Sequence, residues 1–209
     1  DAEVFSFHAT KFFNTFEGGA ITTNDDDLAQ QVRLMRNFGF AGYDDVQYIG
    51  TNGKMSEVSA AMGLTLLESL DDIVETNHRH YRQYRELLAD LPGVQMFAYD
   101  ESERCNYQYI ILEIDEEVTG IDRDALVEAL HAENVLARRY FYPGCHQMEP
   151  YRSYFPHAGL LLPNTNKLTQ RVMALPTGLA VSDDDVSQIC ALIRFMVEHG
   201  TEISQLVNS

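Results

Sequence analysis

The sequence predicts a mixed helix-and-sheet protein of the α/β or α+β class. Three observations carry that reading. Apolar residues recur at helical spacing in several stretches, β-rich runs alternate with helical segments from residue 94 onward, and firm Pro and Gly stops separate them. A chain of 209 residues with 45% hydrophobic and 22% charged content suits a globular fold, and it is long enough to bury a sizeable core.

The elements follow in order. VFSF (4–7) is β-rich and expected to be buried, with GGAITT (18–23) as its neighbour. A buried strand needs neighbours on both sides and only one is supplied, so the N-terminus is expected to lie inside a larger domain. NDDDLAQQVRLMRNFG (24–39) reads as a helix capped by Asn24, with Leu28, Val32 and Met35 on one face and Gly39 at its end. Residues 40–55 read as loop. From Ser56 helical periodicity runs to Leu91, with a break expected near Asp71–Asp72, and Pro92–Gly93 stops it.

VQMFAY (94–99) and YQYIILEI (107–114) read as strands, the second apolar on both faces and therefore buried. DRDALVEALHAENV (122–135) reads as a helix, LARRYFY (136–142) as a strand, and NKLTQRVMAL (166–175) as a helix running into a short strand. Ser182 and Asp185 open the last helix in a capping-box pattern. Val186, Ile189, Leu192, Ile193 and Met196 form its apolar face, and Gly200 is expected to close it. The natural division falls near residue 70, giving parts 1–70 and 71–209.

A formal charge of −17 excludes a phosphate-reading nucleic-acid surface, which needs a basic face. Asp25–Asp27 and Asp183–Asp185 are explained as helix openings, where carboxylates suit the dipole, and they suggest no metal. Cys105, Cys145 and Cys190 are far apart with no C-x-x-C, which fits reduced thiols better than a disulfide framework or a zinc site. No signal peptide or membrane-spanning run is present, so a soluble cytoplasmic protein without membrane partners is expected. His78 and His80 read as surface or packing residues without carboxylate partners at metal spacing, and His157 as loop.

Lysine is scarce, confined to Lys11, Lys54 and Lys167. Lys11 follows an apolar, aromatic run and precedes Phe12, Phe13 and the pair Gly18–Gly19. One reading is a stem packed on apolar surface with its ammonium in water. The other is a desolvated amine with a lowered pKa, able to attack a carbonyl. Ser6, five residues earlier, and the glycine pair, which lets backbone come close to a bulky group, favour the second. His8 would share the face of Ser6 if the strand continues, in a polarising or a structural role. Glu17 reads as a tie for the turn. Arg138 and Arg139, beside Tyr140, Phe141 and Tyr142, fit either contact with a nucleotide diphosphate or a solvated strand end.

SFHATK with FEGGAITT, then GTNGKMSEVSAAMGL (50–64), then YPGCHQMEPYRS (142–153) resemble, in that order, the sugar aminotransferases of the DegT/StrS family, pyridoxal-phosphate enzymes of fold type I. The resemblance implies the end of the large cofactor-binding domain in 1–70 and the smaller C-terminal α/β domain in 71–209. It implies that Lys11 holds pyridoxal 5'-phosphate as a Schiff base and that Ser6 donates to its phosphate. Asn52 would reach the phosphate bound by the neighbouring subunit, making a homodimer with shared sites, and His146 would lie on the substrate side, with Arg139 as a further substrate-side candidate. The implied reaction moves an amino group from glutamate to a keto group of a nucleotide-linked deoxysugar, with the dTDP-4-keto-6-deoxyglucose type as the nearest likeness. Phe16 stands where many members have Gly, and Lys54 where Arg is common. The family's pyridinium partner and ring-stacking residue belong to an N-terminal half that this sequence does not contain, so the chain is expected to be a fragment, inactive alone. A relative acting on another carbonyl, or a non-catalytic dimerisation module, are the alternative readings.

Overall fold

The computed structural model describes residues 1–207, and the chain divides into two compact units, Asp1–Asp72 and Ile73–Ser209.

In the first unit β1 (Ala2–Ser6) pairs antiparallel with β2 (Gly19–Thr23), in a register that sets Val4 opposite Ile21 and Ser6 opposite Gly19. The expectation that residues 4–7 are buried does not hold. Every residue of β1 is exposed, because β2 is its one partner strand among the described residues. Helix α1 (Asp26–Arg36) is capped by Asp25 rather than Asn24, the carboxylate accepting from Leu28 N at 3.0 Å. Residues 40–55, expected as loop, contain a small hairpin, β3 (Phe40–Gly42) with β4 (Asp45–Val46). Ser56 caps α2 (Glu57–Leu67). The break falls at Glu68–Ser69, and Asp71 and Asp72 lie instead in the first turn of α3 (Leu70–Leu88), where the helix dipole favours carboxylates.

The second unit is built on one antiparallel sheet. After α3 come β5 (Val94–Met96), β6 (Ile110–Ile114), α4 (Glu116–Thr119), α5 (Arg123–Ala132) and β7 (Arg138–Arg139). A 3-10 turn Cys145–Gln147 follows, then α6 (Tyr151–Tyr154), α7 (Ala158–Leu161), α8 (Pro163–Arg171), β8 (Val172–Leu175), α9 (Asp183–Glu198) and α10 (Gly200–Val207). The strand order is β5-β6-β8-β7, with every pair antiparallel. Strand β6 is central, with Ile110, Leu112 and Ile114 fully buried and the alternate residues half-covered. Its buried face packs in one core with Tyr81, Tyr84 and Leu88 of α3, Leu126 and Leu130 of α5, and Ile189, Ile193 and Met196 of α9. Each such side chain contributes about 1.5–3 kcal/mol by leaving water. The strand expected over 136–142 shrinks to two residues, since Phe141 takes a left-handed φ of 50°. Gly200 does not end the chain's last helix. His199 caps α9 and Gly200 starts α10, packed so closely that a Cβ there would lie 2.1 Å from Thr119 O.

Polar ties fasten the long connections to α3. Tyr84 Oη donates to Pro176 O at 3.0 Å, and Gln83 to Asp183 O at 2.7 Å. His78 and His80 are packing residues, one of the two roles the sequence reading gave them, and each also meets a carboxylate, because Glu101 and Asp183 arrive from distant segments. His80 is fully buried, Nδ1 lying 3.1 Å from Thr177 Oγ1 and Nε2 3.3 Å from Asp183. His78 stacks on Tyr107 with centroids 4.2 Å apart, and its Nε2 lies 3.0 Å from Glu101. The three cysteines are free, and burial pushes the Cys190 thiol up to about 12, leaving it inert. No helix among the described residues is long and apolar enough to cross a membrane.

Glu101 is gripped by Arg82 at 2.6 Å, Arg85 at 2.7 Å and His78. The hydrogen bond from Arg82, then that from His78, holds its carboxyl at about 2, well below its usual 4.5. A carboxylate whose pKa is depressed on folding stabilises the fold above its ordinary pKa, and that contribution fades as pH falls towards the folded value. Chemical denaturation followed through the tyrosine circular dichroism should therefore show stability falling between pH 4.5 and pH 2. Glu101→Gln should flatten that limb; an unchanged acid limb would show that the clasp does not hold the 97–107 segment.

Candidate active site

The hairpin β1–β2 carries a loop, residues 7–18, that closes on itself. Phe7 N donates to Gly18 O at 2.9 Å, continuing the ladder past Ser6 and Gly19, and Thr15 N donates to Phe7 O at 3.0 Å. Within the loop, Lys11 N donates to His8 O at 2.9 Å, forming a tight turn over His8, Ala9, Thr10 and Lys11. Asn14 Nδ2 then donates to Lys11 O at 3.2 Å. Lys11 is half-buried, and its backbone is held on both sides.

Thr15 is the buried pin of this loop, 1% exposed, with Oγ1 donating to Glu17 O at 2.9 Å. Two glycines make room for it. A Cβ on Gly18 would lie 2.5 Å from Thr15 Oγ1, and one on Gly63 of α2 would lie 2.9 Å from Thr15 Cγ2. Gly19 is small for another reason: a Cβ there would meet Phe5 O at 2.5 Å. Phe16, the position where Gly is common in the resembling family, takes a φ of 63°, a conformation glycine adopts without strain. Across the loop's base the Nδ1 of His8 lies 2.8 and 3.0 Å from the two carboxylate oxygens of Glu17. The glutamate read as a tie for the turn is thus a tie, and its partner is His8.

Asn52 sits on a second rigid segment of the same unit. Thr51 N donates to Met35 O and Gly53 N to Arg36 O, both at 2.9 Å, which satisfies carbonyls left open at the end of α1. Asn52 bridges to Asn37 through the backbone and is exposed. Gly39 (φ 84°) and Gly50 cross at backbone contact, where a Cβ on either would lie within 2.4 Å of backbone atoms. Lys54 donates to Asn37 Oδ1 at 3.2 Å and lies 4.5 Å over the Phe38 ring, which gives it a local structural task.

The other two candidates lie in the second unit. His146, in the 3-10 turn, has Nε2 2.7 Å from Asn166 Oδ1. Asn166 Nδ2 donates to Gly159 O, which fixes the amide's orientation and makes His146 Nε2 the donor. Arg139 lies 3.7 Å from Asp124, with its guanidinium 4.8 Å over the Tyr142 ring. Sequence reading missed the residue that organises this corner. Arg123 is fully buried, donates to Thr169 O at 2.7 Å and to Val172 O, pairs with Asp124 at 2.6 Å, and also stands 5.1 Å over Tyr142. Nothing in its local pattern marks an arginine after a helix N-cap as buried. Beside it a groove of about 960 Å³ is lined by Phe97, Tyr99, Tyr109, Tyr140, Phe141 and His146, among others.

The donor set of the first unit is a primary amine on a fixed turn, a hydroxyl at Ser6 and an exposed amide at Asn52. That combination fits a ligand with a carbonyl and an anionic group. Among the described residues no cluster of three His, Cys, Asp or Glu side chains could hold a metal ion.

Residues 1–194 match the DegT/DnrJ/EryC1/StrS aminotransferase family. The chain is similar to the dTDP-4-amino-4,6-dideoxy-D-glucose transaminase of Shigella dysenteriae, 34% identical over 194 residues, covering 93% of this chain and 52% of that protein. The corresponding Escherichia coli transaminase is 33% identical over 178 residues, covering 85% and 48%. Among solved structures, it is similar to DesI in the presence of its TDP-sugar product, with 50% identity and a TM-score of 0.91 over 100% of this chain and 53% of that one. The chain spans about half the length of the curated relatives it matches.

The contact between Gly63 and Thr15 generates a local test. Gly63→Val should displace Thr15 and open the loop. Hydrogen–deuterium exchange at the Phe7 and Thr15 amides should accelerate by about tenfold or more, while amides of β6 and α9 keep their protection. Unchanged exchange at Thr15 would show that the loop does not lean on α2.

Proposed function

We propose, from the premise that this chain belongs to the DegT/DnrJ/EryC1/StrS aminotransferase family, that it is the C-terminal part of a pyridoxal-phosphate-dependent aminotransferase. The reaction proposed moves an amino group from glutamate to a keto group of a nucleotide-linked deoxysugar. The observation that carries this reading is Lys11 on its closed turn, with Ser6 at the base of the same hairpin. The transaminases named on dTDP-4-amino-4,6-dideoxy-D-glucose, and the structure with a TDP-sugar product, support a dTDP-linked substrate.

In this reading residues 1–70 end the large cofactor-binding domain and 71–209 form the smaller domain. When bound, pyridoxal phosphate supplies the electron sink that makes an amino acid's α-proton removable. Lys11 Nζ would anchor the cofactor, and its amine, when free, would hold and move a proton as general base and acid. Ser6 Oγ donates to the phosphate. Asn52 donates its amide to the phosphate held by a partner subunit, which makes the active unit a homodimer. His146 and Arg139 serve the nucleotide-sugar side. The longer protein supplies the group that pairs with the pyridinium nitrogen.

Two experiments on the full-length protein test this. Borohydride reduction should fix the cofactor to the peptide containing Lys11, and Lys11→Ala should abolish turnover with the fold intact. Label recovered on Lys54 or Lys167 overturns the assignment. A hydrogen bond to a charged phosphate is worth roughly 1.5–3 kcal/mol, so Asn52→Ala should weaken cofactor binding by about tenfold or more. Mixing Lys11→Ala with Asn52→Ala subunits should restore partial activity, since one site of each heterodimer then carries neither lesion. With subunit exchange verified, absence of recovery refutes the cross-subunit role of Asn52.

A further inference from the structure

The ring of His8 and the carboxylate of Glu17 are hydrogen-bonded at the base of the lysine loop, and the assigned chemistry uses neither of them. Their geometry is specific. A carboxylate only accepts, so the nitrogen between its two oxygens, Nδ1 of His8, carries a proton. His8 is also the first residue of the turn whose last residue is Lys11, and Lys11 N donates to His8 O at 2.9 Å. One residue is therefore tied to Glu17 through its ring and to Lys11 through its carbonyl. Glu17 in turn is tied through its own carbonyl to the buried Thr15, and it precedes Gly18, whose carbonyl accepts from Phe7. The chain of contacts runs from the buried pin, through Glu17 and His8, to the backbone of Lys11.

The pair is solvent-accessible, with side chains 50% and 74% exposed. Exposed pairs of this kind add little to stability, so a role in holding the fold does not account for the arrangement. A role in aiming does. The bond to Glu17 tethers the ring of His8, and His8 is the residue whose carbonyl accepts from Lys11 N, so a shift of the His8 backbone, which the tether resists, would carry Lys11 with it.

We propose that Glu17 is a positioning residue for Lys11: by clasping His8 it fixes the turn His8–Lys11 and so raises the effective concentration of the lysine amine at the cofactor's carbonyl. This rests on the aminotransferase reading. An amine held near its target forms a covalent link more completely than one that samples many positions. The clasp should therefore matter to cofactor binding only when the lysine is present.

That condition makes a double-mutant cycle decisive. Pyridoxal phosphate would be titrated by absorbance into the full-length apoprotein as wild type, Glu17→Ala, Lys11→Ala and the double variant. Expected is about a threefold to fivefold rise in apparent Kd for Glu17→Ala in the wild-type background, in keeping with the modest worth of an exposed pair, and no more than about a 1.5-fold change in the Lys11→Ala background. Glu17→Gln, whose amide oxygen still accepts from His8, should restore most of the loss, and the thermal midpoint of the Glu17→Ala apoprotein should match wild type. Equal weakening in both backgrounds would mean that Glu17 shapes the pocket generally, and no weakening in the wild-type background would mean that the clasp is idle; either overturns the proposal, as does failure of Glu17→Gln to rescue. A wild-type apoprotein that takes up no pyridoxal phosphate at all overturns the aminotransferase reading itself, and this inference with it.

Discussion

The closure of residues 7–18 on their own backbone is the constraint from which the rest of the first unit follows. A lysine amine hangs on a flexible four-carbon stem, so its reach is set by whatever holds its Cα. Here the holding is done by main-chain bonds: the ladder extended through Phe7 and Gly18, the return bond from Thr15 to Phe7, and the turn from Lys11 to His8. Each bond demands close approach, and close approach dictates residue size. Gly18 clears Thr15, Gly19 clears the carbonyl of Phe5, and Gly63 admits Thr15 from α2. The glycines beside the lysine are there for space. Flexibility would work against the loop's purpose.

The same economy governs Asn52. A helix leaves its last carbonyls without intrahelical partners, and the amides of Thr51 and Gly53 supply the missing donors to α1. The segment is thereby held on both sides of Asn52, whose side chain stays outside.

In the second unit the corresponding organiser is a buried cation. A desolvated guanidinium is costly unless its donors are matched. Arg123 is matched by two main-chain carbonyls at the junction of α8 and β8 and by Asp124. It therefore welds α5 to that junction. The Tyr142 ring lies under it and under Arg139, so the segment that follows β7 takes its course from a residue on α5. The groove lined by Tyr140, Phe141 and His146 inherits its shape from that arrangement.

Much of this was legible in the sequence, because much of it is local. Period-3.6 patterns placed α1, α5 and α9, the Ser182–Asp185 capping box opened α9 as expected, and β6 stood out as a run too apolar for the surface. Lys11 and Ser6 were singled out by residue type and surroundings, and Asn52 by the resemblance of its motif to the family's. The errors share one cause. Asp25 rather than Asn24 caps α1, the helical break precedes Asp71, and Gly200 starts a helix, since ends are decided by bonding and packing that one-dimensional pattern does not contain. Burial depends on distant partners that the pattern does not show: His80 is enclosed by Thr177 and Asp183 and Arg123 by Thr169 and Val172, while Val4, expected to be buried, is exposed. By itself the sequence determined the helices and strands that carry their own periodicity, and the reactive residue types at hand. Tertiary structure alone decided which polar groups meet, such as His8 with Glu17 and Glu101 with Arg82, Arg85 and His78. Hydrogen bonds and charges act over a few ångströms in space, and separation along the chain does not measure that distance.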